Sequence, residues 1–314
     1  MRHLLLLLCV LDVTACGGSW SNRDLEFVAA LPSRAALASN LPTSGSSAQP
    51  LSSRRDGLNA GEPSQAYADT RKANADFNGL LDFFLGVLDS VRAVPPTSRS
   101  GESRTWGPFV AKDNPGFEFQ LIIALVSTDP RDTYAWKLQA RRLGTPTFFD
   151  VVKGAFQASA ETVRKGMGQI EVPVKDFRDQ LQVDSTFKGI DSISLGYFTA
   201  GFPTTSTLAF TFTPGNTSGF SSLGYAARRA EDGSGAMGFS LKSADANISR
   251  LDLVSKWRAD GAGVTVSTVG EGNYRGATRV ECWNTAFKVT YFKESWPGGQ
   301  ESGAQADCVS VEGL

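Results

Sequence analysis

The side chains that most often carry out chemistry are scarce in this chain and sit close to its ends. One histidine, His3, and four cysteines, Cys9, Cys16, Cys282 and Cys308, make up the whole complement. A chain cut before Cys16 keeps no histidine. Ser-His-Asp and Cys-His catalysis, an imidazole general base and histidine metal ligation all go with it. Zinc would then fall to carboxylates alone, an ill-suited donor set, and no cofactor or metal is expected. Ser185-Thr186-Phe187-Lys188 has a spacing in which a lysine one helical turn away can activate a serine. The companion strings Ser-Asp-Asn and Lys-Thr-Gly are missing and the surroundings are strand-patterned, so the string reads as a strand entry. Asp176 and Asp179, around Phe177-Arg178, have the residue types of a glycoside-cleaving carboxylate pair, but among 32 acidic residues such neighbours arise readily by chance. Gly166-x-Gly168, Gly261-x-Gly263 and Gly270-x-Gly272 lack the third glycine and following helix of a dinucleotide fingerprint and read as bulges or tight strand ends. Carboxylate chemistry is the one catalytic route left open, and the expectation leans to a non-catalytic protein.

The N-terminus is more informative. Met1-Arg2-His3 precedes an apolar run from Leu4 to Leu11, then Asp12 and Val13-Thr14-Ala15-Cys16. That is the charged, apolar, small-residue order of an export signal. A spanning helix needs about 20 apolar residues, so this run is too short to remain as an anchor. Val13-Thr14-Ala15-Cys16 resembles the lipobox of bacterial lipoproteins, in which a cysteine receives diacylglycerol before the chain is cut ahead of it. The resemblance covers residues 1–16 and implies a signal peptide at 1–15, lipid on Cys16 and a palmitate-type anchor. Gly17 in place of Asp implies passage to the outer membrane of a bacterial envelope. The membrane, reached through that lipid, is then the first partner. Formal charge is −1 and the pI is about 6.0, with no basic footprint for nucleic acid. The pairs Arg141-Arg142 and Arg228-Arg229 read as solvated strand ends.

In an oxidising compartment Cys282 and Cys308 are expected to form a disulfide, their separation being far too long for a Cys-x-x-Cys redox pair. Closing a loop of that size contributes about 3 kcal/mol in the chain-entropy picture.

These residues need elements to hold them. Residues 16–63 are rich in Ser, Ala, Pro, Gly and Arg and read as a lipidated, low-complexity tether, in which Leu25 to Leu41 is apolar enough for a short helix or an early strand. Residues 64–314 read as a single domain. It opens with an amphipathic helix at 64–94, capped by Ser64, stopped by Pro95-Pro96 and striped with Phe77, Leu80, Leu81, Phe84, Leu88 and Val91. From 104 to 314 the period falls to two: Phe117, Phe119, Leu121, Ile123 and Leu125 alternate, as do Trp136 and Leu138, then Leu208, Phe210 and Phe212, then Leu251, Leu253 and Trp257, then Phe287, Val289 and Tyr291. About ten to twelve strands joined by short turns imply a mainly β, wide antiparallel meander. It is expected to curl into a barrel or half-barrel with the Phe77 to Val91 stripe as plug or lid. Of the tryptophans, Trp136 and Trp257 fit inward positions, and Trp296 is the best exposed candidate.

The function expected from this is a non-catalytic envelope lipoprotein with a structural or partner-binding role. The alternative is a carrier or chaperone for an apolar ligand or lipid, because the helix-plus-curved-sheet plan looks like that of periplasmic lipoprotein chaperones and lipid-binding half-barrels.

Overall fold

Short runs of alternating apolar and polar residues suit strands with one wet face. The computed structural model makes strands of nearly all of them. It describes residues 19–43, 59–111, 114–181, 189–214, 222–242 and 245–310. The helices are α1 (Asn22–Ala29), α2 (Arg34–Leu37), α3 (Gln65–Arg92) and α4 (Val174–Leu181). The strands are β1 (Ser98–Arg99), β2 (Ser103–Ala111), β3 (Asn114–Ser127), β4 (Thr133–Arg142), β5 (Phe149–Ala158), β6 (Gly166–Val172), β7 (Ile190–Phe198) and β8 (Thr204–Phe212). They continue as β9 (Ser222–Arg229), β10 (Gly235–Lys242), β11 (Arg250–Trp257), β12 (Gly263–Glu271), β13 (Thr278–Trp283), β14 (Val289–Glu294) and β15 (Glu301–Gly303).

All 15 strands join one sheet whose order is the order of the sequence, an antiparallel meander. Among the described residues no pairing joins β1 to β15, so the sheet has two ends and is not a closed barrel. The chain forms two compact units, both of which include residues before 64. Unit 1 comprises residues 1–37, 79–201 and 206–222; unit 2 comprises 38–78, 202–205 and 223–314. The stretch read as tether at 16–63 carries α1 and α2, with Phe27 and Leu31 buried, so part of it is folded body. Cys16 and the lipobox lie outside the described residues.

The helix at 64–94 is realised as α3. The Ser64 hydroxyl accepts a hydrogen bond from the Tyr67 amide at 3.0 Å, the capping contact its sequence position suggests. Phe77, Leu81, Leu88 and Val91 are buried and Leu80 is half-buried, whereas the Phe84 side chain lies outside the described ones. Leu85, absent from the expected stripe, is 1% exposed and continues the row from Leu81. In unit 2 the start of α3 is fastened by Glu281 of β13. Its carboxylate accepts from the Ser64 hydroxyl at 2.7 Å, the Ala66 amide at 3.0 Å and the Arg279 guanidinium. One turn further on, the Thr70 hydroxyl meets Ser255 of β11 at 2.6 Å, and Ser255 meets Thr265 of β12 at 2.7 Å. These buried hydroxyls satisfy one another, as buried polar groups must.

A recurring device seats large rings on the sheet. Gly154 stands opposite Trp136, Gly168 opposite Tyr197, Gly235 opposite Trp257, and Gly263 opposite both Trp257 and Trp283. A Cβ added at Gly154 would lie 2.1 Å from the Trp136 ring, and one at Gly168 would lie 2.3 Å from the Tyr197 hydroxyl. Each ring therefore lies down on bare backbone of the facing strand. Gly166 is a strand end, as read, since it opens β6, whereas Gly168 lies inside the strand and is neither a bulge nor an end. Both sit in uninterrupted register within β6, and their missing side chains make room for the rings of Phe156 and Tyr197. Gly270 does mark a register shift between β11 and β12, and Gly261 has the positive φ of a turn. Phe287, expected in a strand, instead precedes β14 with φ 59° and stacks on Tyr67 with ring centroids 4.1 Å apart.

Cys282 and Cys308 form the expected disulfide, which holds the turn at Gln305–Asp307 to β13. Replacing both with alanine is expected to lower unfolding free energy by about 3 kcal/mol in denaturant titrations. Gly263→Ala is expected to destabilise by about 1–3 kcal/mol, because its methyl would meet Trp283 at 2.4 Å and the Lys256 carbonyl at 2.5 Å. Gly238→Ala, another strand glycine whose Cβ would meet nothing closer than 3.8 Å, is expected to be neutral or stabilising. Equal melting shifts for the two would remove the ring-on-glycine account.

Candidate functional site

A cleft built wholly within unit 1 lies between the α1–α2 segment and strands β5 and β7. Its geometry begins at α1. Ser21 caps the helix by accepting from the Asp24 amide at 3.1 Å, and Asp24 returns the contact to the Ser21 amide at 2.9 Å, a capping box. Asp24 also receives the Arg104 guanidinium of β2 and that of Arg99 of β1. Burial pushes the Asp24 carboxyl up, but the hydrogen bonds from Ser21, Arg104 and Arg99 outweigh it and hold it at about 2. Next to this ion cluster Phe27 is fully buried, edge-on to Tyr134 at 5.5 Å and beneath the Arg104 guanidinium at 4.6 Å. Helix α1 is thus fixed to the sheet by charge at Asp24 and by aromatic packing at Phe27 together.

The other face of α1 and the segment after it, through α2, form a roof. Arg92, in the last turn of α3, donates to the Leu31 carbonyl at 2.8 Å and to the Pro32 carbonyl at 2.7 Å, and pairs with Asp89. Arg34 pairs with Asp82 of α3, and the Ser206 hydroxyl reaches the Leu37 carbonyl. Between this roof and the floor lies a space of about 310 Å³. Leu25, Val28, Leu31 and Ala36 line it from above, and Phe156 and Tyr197 from below. That volume is at the small end of ligand cavities, which run from roughly 300 to 1,000 Å³. The two rings stack with centroids 6.4 Å apart. Tyr197 is 6% exposed and its hydroxyl has no partner among the described residues; burial pushes it far up, so it stays protonated. Arg92, Arg164 and Thr199 supply polar atoms at the margin, and no acidic side chain lines the space.

The residues singled out in the sequence do not assemble here. Asp176 is exposed on the first turn of α4, and the Asp179 side chain lies outside the described ones, as does the whole of Ser185-Thr186-Phe187-Lys188. Trp106, Trp136, Trp257 and Trp283 are buried core and Trp296 is half-buried. Among the described residues there is no grouping of three or more His, Cys, Asp or Glu able to hold a metal ion. Of the arginine pairs, Arg141 is half-buried against Glu118 rather than solvated, and Arg142 is exposed. The apolar run Leu25 to Leu41 was the one sequence signal pointing at the roof. Phe156, Arg164 and Tyr197 come from strands and a loop whose meeting no local pattern announces.

Asp24→Asn is expected to cost about 3 kcal/mol or more, because it strands the buried Arg104 charge. The wild-type contribution has a stated pH window. The folded carboxyl titrates below its unfolded value of 3.8, so its stabilisation is complete above about pH 4 and is lost as pH falls through about 2. Melting curves of the two proteins across that range should converge at the acid end. Compared with family models, with curated proteins and with solved structures, the chain matches none, so the cleft is interpreted from its own geometry.

Proposed function

We propose that this chain is an exported, lipid-anchored carrier of an apolar ligand in a bacterial envelope, with the unit 1 cleft as its binding site. The observation that carries the reading is a preformed apolar space roofed by α1 and α2 and floored by Phe156 and Tyr197. A roof pinned at one end by Asp24 and tied at the other through side chain to carbonyl contacts suits a site that opens locally without unfolding the sheet. The address comes from Val13-Thr14-Ala15-Cys16, whose resemblance to a lipobox puts diacylglycerol on Cys16 and the protein at the outer membrane. Among the described residues no helix is long and apolar enough to cross a bilayer, which is compatible with anchoring by lipid. In this reading the open-ended sheet curls as a half-barrel with α3 as its lid.

A second reading, a structural or partner-binding lipoprotein without a cargo, is favoured by α3 itself. Phe77, Leu81, Leu88 and Val91 are already 0 to 5% exposed, so that stripe serves the core and offers nothing to a ligand.

Two measurements check the proposal. Cells fed a palmitate analogue should label the wild-type protein and leave Cys16→Ser unlabelled, and an intact N-terminal peptide on the mature protein would remove the lipoprotein assignment. Native mass spectrometry of the purified protein should show a co-purifying lipid. A bare chain that also fails to take up added amphiphile would favour the cargo-free reading.

A further inference from the structure

The lining of the unit 1 cleft carries charge of one sign. Two arginines border it and no carboxylate does. They are not equivalent. Arg92 is committed to Asp89 and to the carbonyls of Leu31 and Pro32, so it builds the roof. Arg164, in the loop between β5 and β6, is exposed, and among the described residues its guanidinium meets no carboxylate. The loop is shaped by its own contacts: the Ser159 hydroxyl bonds the Thr162 carbonyl at 3.1 Å, and the Arg164 amide donates to the Thr162 hydroxyl at 3.1 Å. These backbone contacts hold Arg164 at the cleft while its side chain stays available. Thr199 uses its hydroxyl on Gly166, and the Tyr197 hydroxyl is sealed from solvent, so neither competes for a ligand's polar group.

We infer that the cleft takes a single-chain amphiphile with an anionic head, its apolar chain between the roof and the rings of Phe156 and Tyr197 and its head at the Arg164 guanidinium. The inference rests on the carrier reading and adds to it the class of ligand. A planar guanidinium pairs with a carboxylate through two parallel hydrogen bonds, and at the rim of an apolar cleft that pairing is shielded more than in open water. A volume of about 310 Å³ suits one chain of medium length better than a two-chain lipid.

The test uses the full chain carrying Cys16→Ser, which needs no detergent, titrated calorimetrically with dodecanoate, 1-dodecanol and dodecylammonium. Dodecanoate is expected to bind about tenfold more tightly than dodecanol, and dodecylammonium more weakly than either. Arg164→Gln should bring dodecanoate down towards the dodecanol value while weakening dodecanol far less, and Arg164→Lys should restore part of the preference. Ala36→Trp, which fills the cleft from the roof, should weaken dodecanoate and dodecanol together, and Ala29→Trp serves the same purpose if the first variant melts early. Equal binding of the three ligands, or a dodecanoate preference untouched by Arg164→Gln, overturns the assignment of the head and leaves the carrier reading standing. Failure of every ligand to bind overturns the carrier reading as well.

Discussion

A wide meander has more apolar face than a few helices can cover, and that shortage governs how this chain packs. The apolar face must leave water, since burial of apolar surface is the main favourable term in folding. Large rings lying flat on glycine are one solution. Trp136 covers Gly154, and Trp257 and Trp283 cover Gly235 and Gly263, each ring spreading over two strands instead of standing upright from one. The indole N–H groups of Trp257, Trp283 and Trp106 donate to the carbonyls of Asn40, Gly261 and Val94. Each of these bonds ties a connecting segment down onto the strands, while the Trp136 indole N–H has no partner among the described residues.

Helices are used where they are anchored by charge. Within unit 1 the start of α1 meets Asp24 with Arg104 and Arg99, and within unit 2 the start of α3 meets Glu281 with Arg279. In both places a buried carboxylate accepts a backbone amide at the start of a helix, Asp24 from the N-cap Ser21 and Glu281 from Ala66, where the helix dipole favours negative charge. An arginine balances that charge. Ion pairs of this kind contribute modestly in net terms, but they penalise any other docking of the helix, because a buried charge without its partner is costly.

The cleft follows from the limits of that arrangement. Helix α1 is fixed by the ions at Asp24 and by Phe27 on the face turned to the sheet. Beyond Ala29 the chain turns through Leu31 and Pro32, held by Arg92, so the segment spans the strands without filling the space above Phe156 and Tyr197. Gly166 and Gly168 lower the floor at the same point, because the rings rest on backbone there. A short roof over a lowered floor leaves a gap lined by apolar side chains and bordered by arginine.

Much of this was legible in the amino-acid order, wherever a property repeats locally. Period-two alternation placed the strands, period-four spacing and Ser64 placed α3, and turn residues between runs made neighbours antiparallel, because such patterns are set by backbone geometry within a few residues. The disulfide between Cys282 and Cys308 was expected on other grounds, two cysteines left in a chain read as exported to an oxidising compartment. What depended on meetings between distant segments was not legible. The pairing of Asp24 with Arg104, the choice of Leu85 within the α3 stripe, the rings seated on Gly154 and Gly263, the division into two units and the gathering of Arg164 and Tyr197 at one cleft are decided by which strand faces which. That is a long-range outcome of packing, and it leaves no periodic trace in either partner alone.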